Sequence, residues 1–397
     1  MKVAVIGGGA AGFYSAICCK EFHPHASITI YEKTSKLLSK VKISGGGRCN
    51  VTHDAKYPSD LAKNYPRGGK QLKKHFKSFN NHHIIKWFEN RGVALKVEPD
   101  GRMFPTTDRS QTIIDTFMRE VEKLGIEIKM KSALTKIERH EDQLELSIND
   151  QKILFDAVII ATGGSNKRSS YSWLEDVGHE IVEPIPSLFT FNMPKEPIIK
   201  LMGVSVAQAT ASIVGTKHVA EGPLLITHWG MSGPAILKLS SIAARRLHEV
   251  AYNFEVAINW SNNRSEEELR ELIVSGGQKL IKNHNSLEFP QRLWLYFLGR
   301  AGISADDVCA ELSKKQKNKL VHTLYYDVYP VKGKTTFKEE FVTCGGVSWD
   351  SIDVKTLQST ITPGVYFAGE VLDVDGVTGG FNFQAAWTTG WVAGQLG

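Results

Sequence analysis

The first twelve residues, Met-Lys-Val-Ala-Val-Ile-Gly-Gly-Gly-Ala-Ala-Gly, run a buried-type apolar strand straight into a glycine-rich turn. That order restricts the fold more than any other stretch of the chain, because it is the pattern of a dinucleotide-binding βαβ unit. Gly7 allows the tight turn, Gly9 lets backbone approach a pyrophosphate, and Gly12 lets the following helix pack closely on the strand. The anion then rests on a helix N-terminus, where free N–H groups and the macrodipole favour negative charge. Glu32 ends the next apolar run, Ser27 to Tyr31, twenty residues beyond Gly12. A carboxylate there accepts both hydrogens of a ribose diol and repels a 2′-phosphate, so FAD or NAD is expected rather than NADP. The bland alternative is an ordinary glycine-rich βα turn.

A chain of 397 residues is long enough for two or three domains. With 42% apolar and 23% charged residues it has the composition of a soluble globular protein. No run approaches the roughly eighteen apolar residues that a membrane helix requires. Met1 leads directly into the first strand, so no cleavable leader and a cytoplasmic home are expected. The five cysteines, Cys18, Cys19, Cys49, Cys309 and Cys344, form no Cys-x-x-Cys pair and no zinc-type cluster. Neither a metal site nor disulfide-dependent chemistry is therefore expected, and Cys18 and Cys19 read as small core residues of the first helix.

The net charge of +6 is unevenly spread. From Leu61 to Phe88 there is no Asp or Glu, while Lys63, Arg67, Lys70, Lys73, Lys74, Lys77 and Lys86 recur with His75, His82 and His83. Such a stripe suits nucleic acid, a phosphorylated nicotinamide donor or an acidic substrate. The favoured reading is a solvated helix face whose apolar side, Leu72, Phe76, Ile84, Ile85, Trp87 and Phe88, turns to the core, so nucleic acid is not the expected partner.

Asp108 followed by Gln111 reads as a variant capping box for a helix through Glu122 that ends at Gly125. Ile126 to Ile160 alternates in short bursts like a β-meander and closes in Ala157-Val-Ile-Ile-Ala-Thr-Gly-Gly164, a strand apolar enough to be covered on both faces. Pro184, Pro186, Pro194 and Pro197 mark a boundary near 190. Beyond it, strand-like stretches at Leu201 to Val214 and Val250 to Trp260 flank Leu224 to Leu237, and Ser265 to His322 is helical in pattern. The expected architecture is an α/β, doubly wound Rossmann-type domain, residues 1–190 and 337–397, interrupted by a mixed β and helical insertion at 191–336 with a helical part at about 265–322.

Three strand ends point at one ligand: Gly7 to Gly12 with Ala10 and Ala11, then Ala161-Thr162-Gly163-Gly164, then Gly369-Glu370. Ligands of doubly wound sheets collect at such carboxyl ends. The chain resembles the FAD-binding flavoproteins related to glutathione reductase and, more closely, the aminoacetone-oxidase-like FAD-binding family that includes bile-acid enone reductases. The resemblance covers nearly the whole chain and is most specific at Ile43-Ser-Gly-Gly-Gly-Arg-Cys-Asn50, Thr227-His-Trp-Gly-Met-Ser-Gly-Pro234 and Gly369 to Asn382. It implies non-covalent FAD, with Glu370 on a ribitol hydroxyl, Asp375 nearby, and Gly380 to Ala385, Phe381 and Asn382 included, presenting a helix N-terminus to the flavin. Lys33, Lys40 and Leu134 complete the cofactor set that the resemblance suggests.

In Ser44-Gly45-Gly46-Gly47-Arg48-Cys49-Asn50, glycines allow backbone to approach a planar ring, Arg48 is suited to neutralise phosphate or flavin charge, and Asn50 bonds either way. Cys49 and His228 are the two catalytic candidates: a thiol as redox partner of the flavin, an imidazole as acid toward a carbonyl substrate. Each has a purely structural alternative. In Ser232-Gly-Pro234, Ser232 or Gly233 reads as the cap and Pro234 as the first position of a helix. No second Gly-x-Gly-x-x-Gly in a strand-to-helix context follows, so NADH or NADPH, if used as a transient donor, has no Rossmann domain of its own. The sequence reading is thus an FAD-dependent oxidoreductase exchanging a hydride between N5 and a small organic substrate, by enone-type reduction or amine oxidation. The alternatives are an FAD protein that modifies RNA and a flavin-binding module without turnover.

Overall fold

The computed structural model describes residues 1–262, 264–336 and 342–397. It contains two compact units, Met1–Ser187 with Phe337–Gly397, and Leu188–Thr336. The expected return into the cofactor domain at 337 falls on residues outside those described.

The first unit is built on a five-stranded sheet in the order Val365–Phe367, Ala157–Ile160, Lys2–Ile6, Ser27–Glu32, Glu127–Met130, every neighbouring pair parallel. The opening strand lies at the centre. The chain leaves it first toward Ser27–Glu32 and later toward Ala157–Ile160, which makes its carboxyl end the switch point where a ligand crevice opens. Alternation along these strands sends Val3, Val5, Ile28, Ile30 and Ile159 to one core, packed with the helices Ala10–Phe22, Ser110–Lys123 and Phe381–Ala393. Ala4, Ile6, Val158 and Ile160 go to the other face, where Leu144, Leu146, Ile148 and Phe155 of a three-stranded antiparallel sheet meet them. The Rossmann-type α/β sheet is therefore covered by helices on one face and largely by β-structure on the other.

Two local expectations need correction. The meander is shorter than the sequence alternation suggests: it comprises Leu134–His140, Gln143–Ile148 and Gln151–Phe155, while Glu127–Met130 joins the central sheet in register with Thr29 to Glu32. Nor does Asp108 cap the next helix. That helix begins at Ser110 with Arg109 at its N-cap, and Asp108 has a left-handed φ of 53°. Its carboxylate is taken by Lys96 and, at 3.6 Å, by Arg48. The helix does end before Gly125, whose φ of 64° suits glycine at that point.

The second unit carries a seven-stranded sheet with Ser205–Ile213, Val219–Ile226 and Asn253–Asn259 among its strands. Val219–Ile226 alternates exposed and buried residues along its length, the signature of a sheet wetted on one face. Three helices, Glu266–Val274, Gln291–Ala301 and Lys314–Tyr325, follow, and capping boxes at Ser265 with Glu268 and at Ser313 with Gln316 set the starts of the first and third. Leu293, Trp294, Phe297 and Leu298 bury one face of the second. Among the described residues no helix is long and apolar enough to cross a membrane.

Candidate flavin site

At the switch point each glycine of the opening turn has its own geometry. Gly7 adopts a φ of 118°, and a Cβ there would lie 2.2 Å from the Ala161 carbonyl oxygen. A Cβ on Gly12 would lie 1.9 Å from the Gly7 oxygen, so the helix Ala10–Phe22 approaches the strand as only glycine permits. Gly9 differs: nothing lies within 4 Å of a Cβ built on it. Gly9 is also the N-cap, without any side-chain cap, so the first N–H groups of the helix remain open toward that space. Glu32 ends its strand beside the turn, with Oε2 accepting from Gly8 N at 2.8 Å and Oε1 from Thr34 N at 2.8 Å.

The other strand ends arrive at the same place. Ala161 packs against Gly12, and a Cβ on Gly369 would lie 2.7 Å from that of Ala11. Glu370 is held by Lys40 Nζ at 2.7 Å and by Thr343 N, which donates to Oε1 at 2.7 Å. Gly164 has no room for a side chain, since a Cβ would meet Thr343 Oγ1 at 2.3 Å and Glu370 Oε1 at 2.7 Å, whereas Gly163 faces open space. Thr343 is a residue the sequence reading missed. Among the described residues its buried hydroxyl has no hydrogen-bond partner, and an unmatched buried hydroxyl costs stability unless something satisfies it.

Ser44 to Asn50 is not a simple loop. It ends the helix Ser39–Gly47, which is broken at Ser44, Gly45 and Gly46, with Gly45 to Gly47 all at positive φ. Gly46 and Gly47 look onto open space. The side chains turn the other way. Arg48 pairs with Glu98 at 2.6 Å and stacks over Phe104 at 3.9 Å. Cys49 is wholly buried with a φ of 63°, and burial pushes its thiol up to about 12. Asn50 accepts from Met103 N at 3.3 Å and lies under Gly380, where a Cβ would come within 2.8 Å of Asn50 Oδ1.

Gly380, at a φ of 92°, starts the helix Phe381–Ala393, whose N-terminus likewise has no side-chain cap. Ala385 is buried in its second turn. Asn382 is spent on the loop before it, exchanging hydrogen bonds with Gly376 N and O at 2.8 and 2.9 Å. Asp375 is fully buried, and both its oxygens are engaged by Arg67, with Ser187 donating at 2.7 Å. It therefore anchors the Gly369 to Gly380 return from below instead of lying open beside Glu370. Lys33 is exposed and Leu134 begins the meander partly buried.

The residues fit FAD. Two uncapped helix N-termini, the open backbone at Gly9, Gly46, Gly47 and Gly163, and the unmatched Thr343 hydroxyl offer an elongated anionic ligand donors but few side chains. The HI0933-like protein Rossmann domain matches residues 1–396 of this sequence. The chain belongs to that family. Over 98% of this HI0933-like chain and 96% of the relative, it is 27% identical to the ribosomal RNA dihydrouridine synthase of Haemophilus influenzae. It is 25% identical to the 3-dehydro-bile acid delta(4,6)-reductase of Clostridium scindens, over 99% of this chain and 98% of the relative. In fold it resembles the 3-ketosteroid-delta4-(5alpha)-dehydrogenase of Rhodococcus jostii, with a TM-score of 0.52 at 12% identity over 99% of this chain and 96% of that one. Family and fold thus agree on a Rossmann-type nucleotide-binding chain of the HI0933-like family.

His228, in the second unit, stands exposed at the tip of the tight turn between Val219–Ile226 and Gly230–Ser232, its ring 3.8 Å from that of Trp229. Thr227 closes that turn through N and Oγ1 to the Gly230 oxygen. Pro234 opens a helix, Pro234–Ile242, with Gly233, one of the two expected capping residues, at its N-cap, while Ser232 pairs with Thr190 at 3.1 Å.

Proposed function

We propose that this protein reduces a carbon–carbon double bond conjugated to a ring carbonyl. One observation carries the reading. Two relatives that align with almost the whole chain act on very different molecules, a bile acid and ribosomal RNA, yet both names specify hydrogenation of such a bond. In a 3-oxo bile acid the Δ4,6 system is conjugated to the ketone, and in uridine the 5,6 double bond is conjugated to the C4 carbonyl.

When bound, FAD supplies hydride exchange at N5. The chain's own contribution is to hold it and to favour its charged form. The turn Gly7 to Gly12 would hold the pyrophosphate on backbone N–H groups, and Glu32 would take the adenosine ribose. Thr343, Glu370 and Lys40, which cluster together, would hold the ribityl chain, and the uncapped helix start at Gly380 would favour negative charge on the flavin. Cys49 plays no redox part, because a thiol buried and raised to about 12 supplies no thiolate at neutral pH. His228 is exposed and makes no side-chain hydrogen bond among the described residues, so its side chain is not committed to a structural role.

The test is anaerobic. Protein whose flavin has been photoreduced is mixed with cyclohex-2-enone, a 4-en-3-one steroid, unmodified ribosomal RNA or cyclohexanone, and protein whose flavin is oxidised is mixed separately with aminoacetone. Reoxidation by at least one conjugated probe and none by cyclohexanone is expected. Failure of every conjugated probe, with aminoacetone reducing the oxidised flavin, would establish amine oxidation instead.

A further inference from the structure

The segment Leu61 to Phe88 holds seven basic and no acidic residues, so it accounts for the entire excess of +6 carried by the chain. In the structure its apolar residues do face inward: Leu72, Phe76, Ile84, Trp87 and Phe88 are all buried. Packing alone leaves the opposite side unexplained. Lys63, Lys70, Lys73, Lys74, Lys77 and Lys86 are all exposed, and among the described residues only Lys63 has an acidic partner, Asp60 at 3.0 Å. Ordinary solvated faces intersperse both signs, since like charges repel. Lys70, Lys73, Lys74 and Lys77 recur at intervals of three and four, which aligns them along one face of the helix Gly69–His75 and the turn after it.

This face is also fixed to the flavin site. Just before it, Tyr65 donates to the Phe381 carbonyl at 2.6 Å, and Arg67 makes the buried pair with Asp375. Gly68 lies so close to Val374 that a Cβ would come within 2.7 Å of its methyl group. A polyanion seated on the lysines is therefore registered against the loop and helix start that approach the flavin.

We propose that the lysine face of residues 63–86 is the docking surface for an RNA substrate, which rests on the reading of the reaction given above. Backbone phosphates would supply the charge that the chain itself withholds, giving binding that is strong, sequence-tolerant and salt-dependent. A membrane surface fits less well, because no exposed large apolar side chain falls between residues 61 and 88 to insert among lipids. A nicotinamide dinucleotide fits less well too, having too few phosphates to engage lysines spread over two helices.

The experiment uses full-length, FAD-loaded protein and the quadruple variant Lys70→Gln, Lys73→Gln, Lys74→Gln, Lys77→Gln. Binding of unmodified in vitro transcribed ribosomal RNA is measured across a salt series, beside phosphatidylglycerol vesicles and NADPH. The expected result is RNA affinity at least about tenfold lower in the variant, with the log–log salt slope reduced by about 3. Flavin content and reoxidation by cyclohex-2-enone should not change, which shows that the fold and the chemistry are intact. Equal RNA binding by both proteins overturns the proposal, as does a variant that loses vesicle or NADPH binding while keeping RNA. A wild-type protein that reduces no conjugated probe, yet loses RNA binding in the variant, refutes the assigned reaction and leaves the surface standing.

Discussion

The turn Gly7 to Gly12 and the segment Ser44 to Asn50 are both glycine-rich and both belong to the cofactor side of the first unit, but they work differently. In the turn the glycines divide the labour: Gly7 and Gly12 are packed against backbone, and Gly9 is open. In Ser44 to Asn50 the side chains read as cofactor contacts or, for Cys49, as a catalytic candidate face the protein, Arg48 toward Glu98, Cys49 into the core and Asn50 toward Met103 N. What remains toward open space is again backbone, at Gly46 and Gly47. In both segments the surface left open is main chain, with side chains acting as its scaffolding, which is what the proposed cofactor cradle requires.

The largest effect that follows is at a packed glycine. Gly12→Val places a branched side chain where even a Cβ lies 1.9 Å from the Gly7 oxygen. Native stability of about 5–15 kcal/mol does not absorb such an overlap, so the variant should be insoluble or unfolded by circular dichroism. A well-folded Gly12→Val would break the distinction between packed and open glycines. The smallest effect is at the thiol. Cys49→Ala should cost about 1–2 kcal/mol in denaturant unfolding, the range for losing a small buried group. Turnover and its pH profile from 6 to 9 should stay within about twofold, because a thiol held at about 12 does not ionise there. A large loss of turnover with FAD content unchanged would return Cys49 to the chemistry.

Most of the first unit was legible because strand, turn, helix and acid follow in a fixed order that only one topology satisfies. The packed and open roles of Gly7, Gly9 and Gly12 could be assigned from spacing alone. Side-chain direction was not legible where it depends on distant partners. Arg48 finds Glu98, Asp375 finds Arg67, and Asp108 finds Lys96, all pairings made by tertiary contact and not by local pattern. Thr343 carried no local signal, since its significance lies in reaching Gly164 and Glu370 from a strand far along the chain. The edge strand Glu127–Met130 was misplaced for a related reason: short alternation does not say which sheet a strand will join.

The most direct test of the main-chain cradle is the FAD content of Gly9→Val. Among the described residues no atom lies within 4 Å of a Cβ at that position, so the substitution would fit the protein but fill the space proposed for the pyrophosphate. The account predicts a folded variant, with the far-ultraviolet spectrum of the wild type, that purifies colourless and takes up little added FAD. A folded, yellow Gly9→Val with stoichiometric FAD would contradict it.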